Sequence, residues 1–245
     1  MGMALLWGMV SGGAVLLGAV ISLLVHIPKK LLGFIMAFGV GVLIGAATFE
    51  LLQESLEKDE IMNTVIGFLV GAVTFTVLEA LISKKGGKHR KRAQVPDESS
   101  EQSGGIGIFI GTVMDAIPES IMLGVSLIGG KGVSMLLLIA IFISNIPEGL
   151  SSTKGMLHGG NSKKKILFLF ITVTVIAGLS ALGGYIFLDD ADPKVLAFIS
   201  SFAAGGIITM IGATMLPEAY EEGGAMVGLV TACGVLTSVL LDHLS

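Results

Sequence analysis

Charge is scarce in this chain. Of its 245 residues only 14% are Asp, Glu, Lys or Arg, against 53% hydrophobic. A soluble domain carries about 25% charged residues, so that class is excluded. Cysteine is nearly absent: Cys233 stands alone, which rules out an internal disulfide. Histidine is sparse too. His26, His89, His158 and His243 lie in loops or at interfaces, and no His-Glu-x-x-His occurs, so a metalloprotease signature is missing. No stretch is long enough to be a soluble catalytic domain. Glycine, in contrast, is abundant at 35 residues, which suits close packing between membrane helices.

Apolar runs dominate what remains. A membrane span needs about 20 apolar residues. Eight such runs are expected, near 4–25, 31–52, 61–83, 106–128, 133–157, 166–188, 195–216 and 225–244. The first has no basic n-region and reads as a retained span. The stretch 84–105 is polar and reads as a disordered cytoplasmic loop within a single transmembrane domain covering 1–245. Its basic half, Lys84–Arg92, marks the cytoplasmic side of a membrane span and not a nucleic-acid site. Lys29, Lys30, that cluster and Lys163–Lys165 all fall on one side of an eight-span topology. Only Lys58, Lys131 and Lys194 fall on the other. The positive-inside rule then places both termini outside the cytoplasm of a multi-pass protein in the cell membrane.

Two stretches interrupt the apolar pattern: Asp115-Ala116-Ile117-Pro118-Glu119-Ser120 and Ser144-Asn145-Ile146-Pro147-Glu148-Gly149. In each, a polar residue precedes the glutamate by four positions, so both side chains share one helix face. Proline removes an N–H and displaces the carbonyl four residues back, here Met114 and Ile143. Acids at membrane depth cost about 2.5 kcal/mol or more each. Buried acids hydrogen-bonded between helices are the structural alternative. The set Asp115, Glu119, Ser144, Asn145 and Glu148 otherwise reads as an all-oxygen cage for a cation.

The chain also repeats itself weakly. Phe38-x-x-Gly41 with Glu54 matches Phe202-x-x-Gly205 with Glu218 at a constant offset, and Gly71 and Glu79 match Gly234 and Asp242 after a one-residue slip. The copies lie five spans apart and would insert in opposite senses, a pattern typical of transporters. The plan is 3+2+3, with the proline motifs in the middle. Glu50, Glu54 and Glu218 lie near span ends, where solvated termini and an entrance or exit relay for cations are both open readings. Gly41-x-x-x-Gly45, Gly67-x-x-x-Gly71 and Gly107-x-x-x-Gly111 permit close helix approach, within the chain or in a homodimer.

On these motifs the chain resembles the ZIP (Zrt/Irt-like) family of divalent metal transporters, prokaryotic type. The resemblance implies an all-α integral membrane fold with eight helices and inverted repeats. It implies metal ligands at Glu119, Glu148 and Asn145. It also implies a divalent cation as substrate, with no enzyme activity and no organic cofactor. The partners implied are the metal ion and the lipid bilayer. Where the family has histidine in spans four and five, this chain has Asp115 and Ser144. Imidazole suits zinc, whereas oxygen ligands suit manganese and other harder ions, so manganese or iron joins zinc as an expected cargo. An intramembrane enzyme, or a homologue that binds metal without moving it, are the alternatives.

Overall fold

The computed structural model describes residues 1–82, 104–130 and 132–244. The expected loop therefore lies outside the described residues up to residue 103, His89 and the basic cluster included. Among the described residues every regular element is helical. Helix α1 covers Gly2–Leu24 and α2 covers Lys29–Gly45. A π-helical stretch, Ala46–Leu52, joins α2 to α3, Gln53–Lys58. Helices α4 (Ile61–Ile82), α5 (Gly104–Ser126), α6 (Met135–His158) and α7 (Lys163–Leu188) follow. Helix α8 is Pro193–Met210, and a second π stretch, Ile211–Met215, leads into α9, Leu216–Gly223. Helix α10 is Val227–Leu244. The loop expected to end at 105 gives way to helix at Gly104.

Local signals explain several boundaries. Ser134 caps α6, with the Leu137 amide donating to its Oγ at 3.1 Å, and Ser162 caps α7 through the Lys165 amide at 3.3 Å. Asp192 caps α8 ahead of Pro193, where proline costs the helix no hydrogen bond. Both motif prolines, Pro118 and Pro147, lie inside continuous helices. They relocate a carbonyl without ending the element.

Among the described residues, seven helical stretches are long and apolar enough to cross a membrane, the last being Pro193–Leu244. That stretch turns back on itself. Gly67 lies against Phe198 and Ser201 and Gly71 against Phe202, so α4 and α8 run parallel. Gly41 lies against Thr231 and Gly234, and Gly45 against Ser238, so α2 and α10 run parallel as well. The two-residue link after Lys58 reverses α2 into α4, with Ser55 and Thr64 hydroxyls 2.8 Å apart across the bend. Helices α8 and α10 therefore run in opposite senses. The turn falls at Gly224, whose φ of 70° and ψ of −156° only glycine adopts easily.

The helices sort into two bundles. Helices α1, α5, α6 and α7 pack together, as do α2, α4, α8 and α10 with the short α3 and α9. The bundles meet chiefly where α2 crosses α6. Elsewhere the seam is open: an apolar crevice of about 520 Å³ separates Pro118, Met122 and Phe187 from Phe198 and Phe202. The weak sequence repeat becomes a shared contact. A Cβ on Gly234 would strike the Phe38 carbonyl, and one on Gly71 would strike the Phe202 carbonyl. The two π stretches also occupy corresponding places in the two copies. The small-residue stretches at Gly41/Gly45 and Gly67/Gly71 are used inside the chain, against α10 and α8.

Candidate functional site

Helix α6 carries the centre of the site. Asp115, Glu119, Ser144, Asn145 and Glu148 are all buried, the three acids at 3%, 2% and 4% exposure. Helices α5 and α6 form an antiparallel pair pinned where the Ser134 amide donates to Ser126 Oγ at 3.1 Å. Asp115 lies eleven residues before that pin and Asn145 eleven after it. At 1.5 Å per residue both sit about 16 Å along their helices. Glu148 is one turn further on. Both positions fall near the middle of a hydrocarbon layer about 30 Å thick.

The surroundings of α6 follow from small residues. A Cβ on Gly149 would strike the Val15 carbonyl, and one on Gly18 the Ile146 carbonyl, so α1 closes directly on the second motif. Gly39 sets α2 against Ile143 and Ser144, less tightly than α1. Asn145 Nδ2 donates to the Ser11 carbonyl at 3.2 Å, leaving Oδ1 as the atom available to a cation. Ser144 Oγ donates to the Ile141 carbonyl at 3.0 Å and keeps its lone pairs. On α5, Ala116 packs with Val15, Ala19 and Met156. Met122 and Leu123 join Leu136, Leu137 and Ile141 in an apolar plug toward the α5–α6 turn.

Three acids alone do not complete a cage. Among the described residues no group of three or more His, Cys, Asp or Glu side chains lies close enough to hold a metal ion. Any cation held here needs the neutral oxygens of Ser144 and Asn145 besides carboxylates.

The relay candidates separate to opposite ends. Glu50 and Glu54 line a mouth of about 470 Å³ with Gln53, Glu57, Ser126 and Ser134. Glu50 shares that mouth with Ser134, and Glu54 and Asp242 add like charge around it. Lys58 Nζ pairs with Glu54 at 2.7 Å. Glu218 lies at the other end, where Gly33 meets Ala219 and Gly223. It is 5% exposed, so it is a buried acid and not a solvated helix terminus. Ser151 Oγ donates to it.

Sequence reasoning did not find Ser151, Ser134, Thr112 or Ser152. Thr112 stands one turn before Asp115 and Ser152 one turn after Glu148. Both are buried hydroxyls without a hydrogen-bond partner among the described residues. They extend a polar column along α5 and α6. Only the helical spacing of polar residues around the acids could have marked them.

No protein-family model matches the chain. It is similar to a putative zinc transporter of Arabidopsis thaliana, 29% identical over 209 residues, which cover 84% of this chain and 33% of that protein. It is also similar to the zinc transporter zipt-7.2 of Caenorhabditis elegans, 27% identical over 51% of this chain and 28% of that one. The zinc transporter SLC39A7 of Mus musculus is 26% identical over 51% of this chain and 29% of its own length. The chain thus spans about a third of the length of these relatives.

Proposed function

We propose that this protein moves divalent metal cations across the cell membrane as a ZIP-type transporter of the prokaryotic kind. Zinc is its first substrate, and manganese and ferrous iron are further ones. The observation that carries this reading is the set of buried acids on α5 and α6 at mid-depth between two helical bundles. The similarity to proteins named as zinc transporters supports it.

In this reading the chain crosses the bilayer eight times. The segment Pro193–Leu244 supplies two crossings on either side of Gly224, and the plan is 3+2+3 with inverted repeats. The cytoplasmic side is the one bearing Lys29, Lys30 and Lys163–Lys165, and the termini lie opposite. The exposed apolar faces of α4 (Leu69, Val73) and α10 (Leu229, Leu236) meet lipid, or a second copy in a homodimer.

The ion is substrate, not a resident cofactor. It enters at the Glu50–Glu54 mouth, where like charges attract cations. No more than two of Asp115, Glu119 and Glu148 at a time, together with Ser144 and the Asn145 carbonyl oxygen, replace its hydration shell. It leaves past Glu218. Relative movement of the two bundles exposes the site to one side and then the other. This all-oxygen set lacks the family histidines and favours harder ions more than an imidazole site would.

Metal flux into proteoliposomes tests the reading. Wild type should carry zinc and manganese, and Glu148→Gln should cut flux about ten- to a hundredfold, at least the loss seen when a metal site's supporting groups are removed. Unchanged flux in Glu148→Gln would place the path elsewhere.

A further inference from the structure

Three cavities line up along one face of α8. At its start, Lys194 and Val195 share a polar pocket of about 560 Å³ with Asp59, Glu60 and Asn63. Phe198 belongs both to that pocket and to the apolar crevice of about 520 Å³ at the bundle seam. Phe202 and Ala203 belong to the crevice and to a further apolar pocket of about 290 Å³, which reaches Gly206. These positions advance by three or four residues, so they form one stripe on the helix. From Lys194 to Gly206 the stripe is about 18 Å long. A hydrocarbon layer about 30 Å thick gives each leaflet about 15 Å. The groove thus matches one leaflet in depth, with its polar end at the helix start.

Small residues hold this groove open. A Cβ on Gly206 would have nothing within 4 Å, and one on Gly183 would meet only the Phe187 ring, at 3.8 Å. Helix packing therefore does not account for the space at either position. The space is apolar, and an apolar cavity stays dry. Phe187 and Ile117 at its edges are exposed, so it opens sideways onto the outer face of the bundles. The pocket at its mouth carries both signs of charge, an ammonium on Lys194 and carboxylates on Asp59 and Glu60. Asn63 sets their spacing: its Nδ2 donates to Asp59 Oδ2 at 2.7 Å and to the Lys194 carbonyl at 2.9 Å. A head group with both a phosphate and an ammonium complements this set. A purely anionic one meets more negative than positive charge.

We propose that the groove holds one acyl chain of a zwitterionic phospholipid, with the phosphate at Lys194 and the ammonium at Asp59 and Glu60. The chain runs past Phe198 and Phe202 to Gly206 and lies against Pro118, the neighbour of Glu119. The lipid is then part of the seam between the bundles and touches the helix that carries the first motif. The site rests on the membrane crossings of the transport reading, not on metal flux.

The experiment is photo-crosslinking of the full chain in liposomes of equal parts phosphatidylethanolamine and phosphatidylglycerol. A trace of one lipid or the other carries a diazirine at mid-chain, and peptide mass spectrometry locates the adducts. The phosphatidylethanolamine probe should label 114–122 and 198–206 about tenfold more than the phosphatidylglycerol probe, the ratio for one hydrogen bond to a charged group. Both probes should label the exposed outer face of α7, 168–179, equally. Combining Asp59→Asn, Glu60→Gln and Lys194→Gln should erase the preference. Gly183→Leu and Gly206→Leu fill the groove and should cut labelling at 198–206 about tenfold while leaving 168–179 unchanged. Equal labelling of groove and outer face by both probes would mean passing bilayer lipid only, and the proposal is overturned. Groove labelling that survives both leucine substitutions overturns it too. A groove that takes no label while 168–179 does is covered by protein, a second copy or another segment, and the lipid assignment fails. The comparison of the two probes on wild type needs no variant, so a misfolded leucine variant leaves the decision intact. A wild type that shows the lipid preference but no zinc flux would sink the transport reading and leave the lipid site standing.

Discussion

Asp115 and Ser144 are the residues at which this site departs most in chemistry from a histidine-bearing one. Both are buried, and Ser144 already spends its proton on the Ile141 carbonyl. In the proposed site it offers a cation only a neutral lone pair, weaker than an imidazole nitrogen. Asp115 offers it a hard oxygen in the same proposal. Asp115→His should therefore raise the zinc-over-manganese flux ratio about tenfold, a change of roughly 1.4 kcal/mol in relative binding. Competition between the two ions in a proteoliposome uptake assay reads that ratio directly. A ratio that stays put would mean Asp115 does not touch the ion. Glu119 and Glu148 were legible in the sequence because proline and acid together are rare at membrane depth. Ser151 and Ser134 were not. Serine is common in membrane helices, and the partner of Ser151 is 67 positions away, so nothing local marks the pairing.

At the scale of the helix, the second motif depends on how closely α1 approaches. Gly149 and Gly18 each leave room for a carbonyl of the facing helix, and Asn145 then reaches the Ser11 carbonyl. A methyl group on Gly149 has backbone in its way and not a movable side chain end. Overpacking of this kind costs about 1–3 kcal/mol. Gly149→Ala should lower the detergent-solubilised melting temperature and reduce flux together, because the displaced helix carries Asn145 and Glu148. A variant with normal stability and normal flux would show that α1 can yield without cost. The helices themselves were readable from apolar run length, within a few residues at most ends. The π stretches at Ala46–Leu52 and Ile211–Met215 were not. Neither contains proline, although Pro217 leaves the Ala213 carbonyl of the second without its helical donor.

For the molecule as a whole, the repeat ties sequence to architecture more firmly than its few matching residues suggest. Phe38 and Phe202 are far apart in the chain, yet each presents its carbonyl to the equivalent glycine, Gly234 or Gly71. That equivalence requires α8 and α10 to point in opposite directions, so the reversal at Gly224 is needed for the fold. Its φ of 70° with ψ of −156° lies where a side chain costs about 1–3 kcal/mol. Gly224→Ala should therefore destabilise the protein by about that amount, while Gly228→Ala, a helical glycine with open space around it, should be close to neutral. Sidedness gives the complementary measurement. Asn63 Nδ2 donates to the Lys194 carbonyl at 2.9 Å, which puts the start of α4 and the start of α8 at one end of the molecule. Lys154 Nζ donates to the Ile27 carbonyl at 3.0 Å, which holds the end of α6 beside the start of α2 at the other. In intact cells an impermeant maleimide should label Lys194→Cys and Asp59→Cys but not Glu222→Cys or His158→Cys. Labelling of Glu222→Cys from the same side as Lys194→Cys would mean that α8 and α9 do not cross the membrane. The inverted repeat would then lose its physical basis.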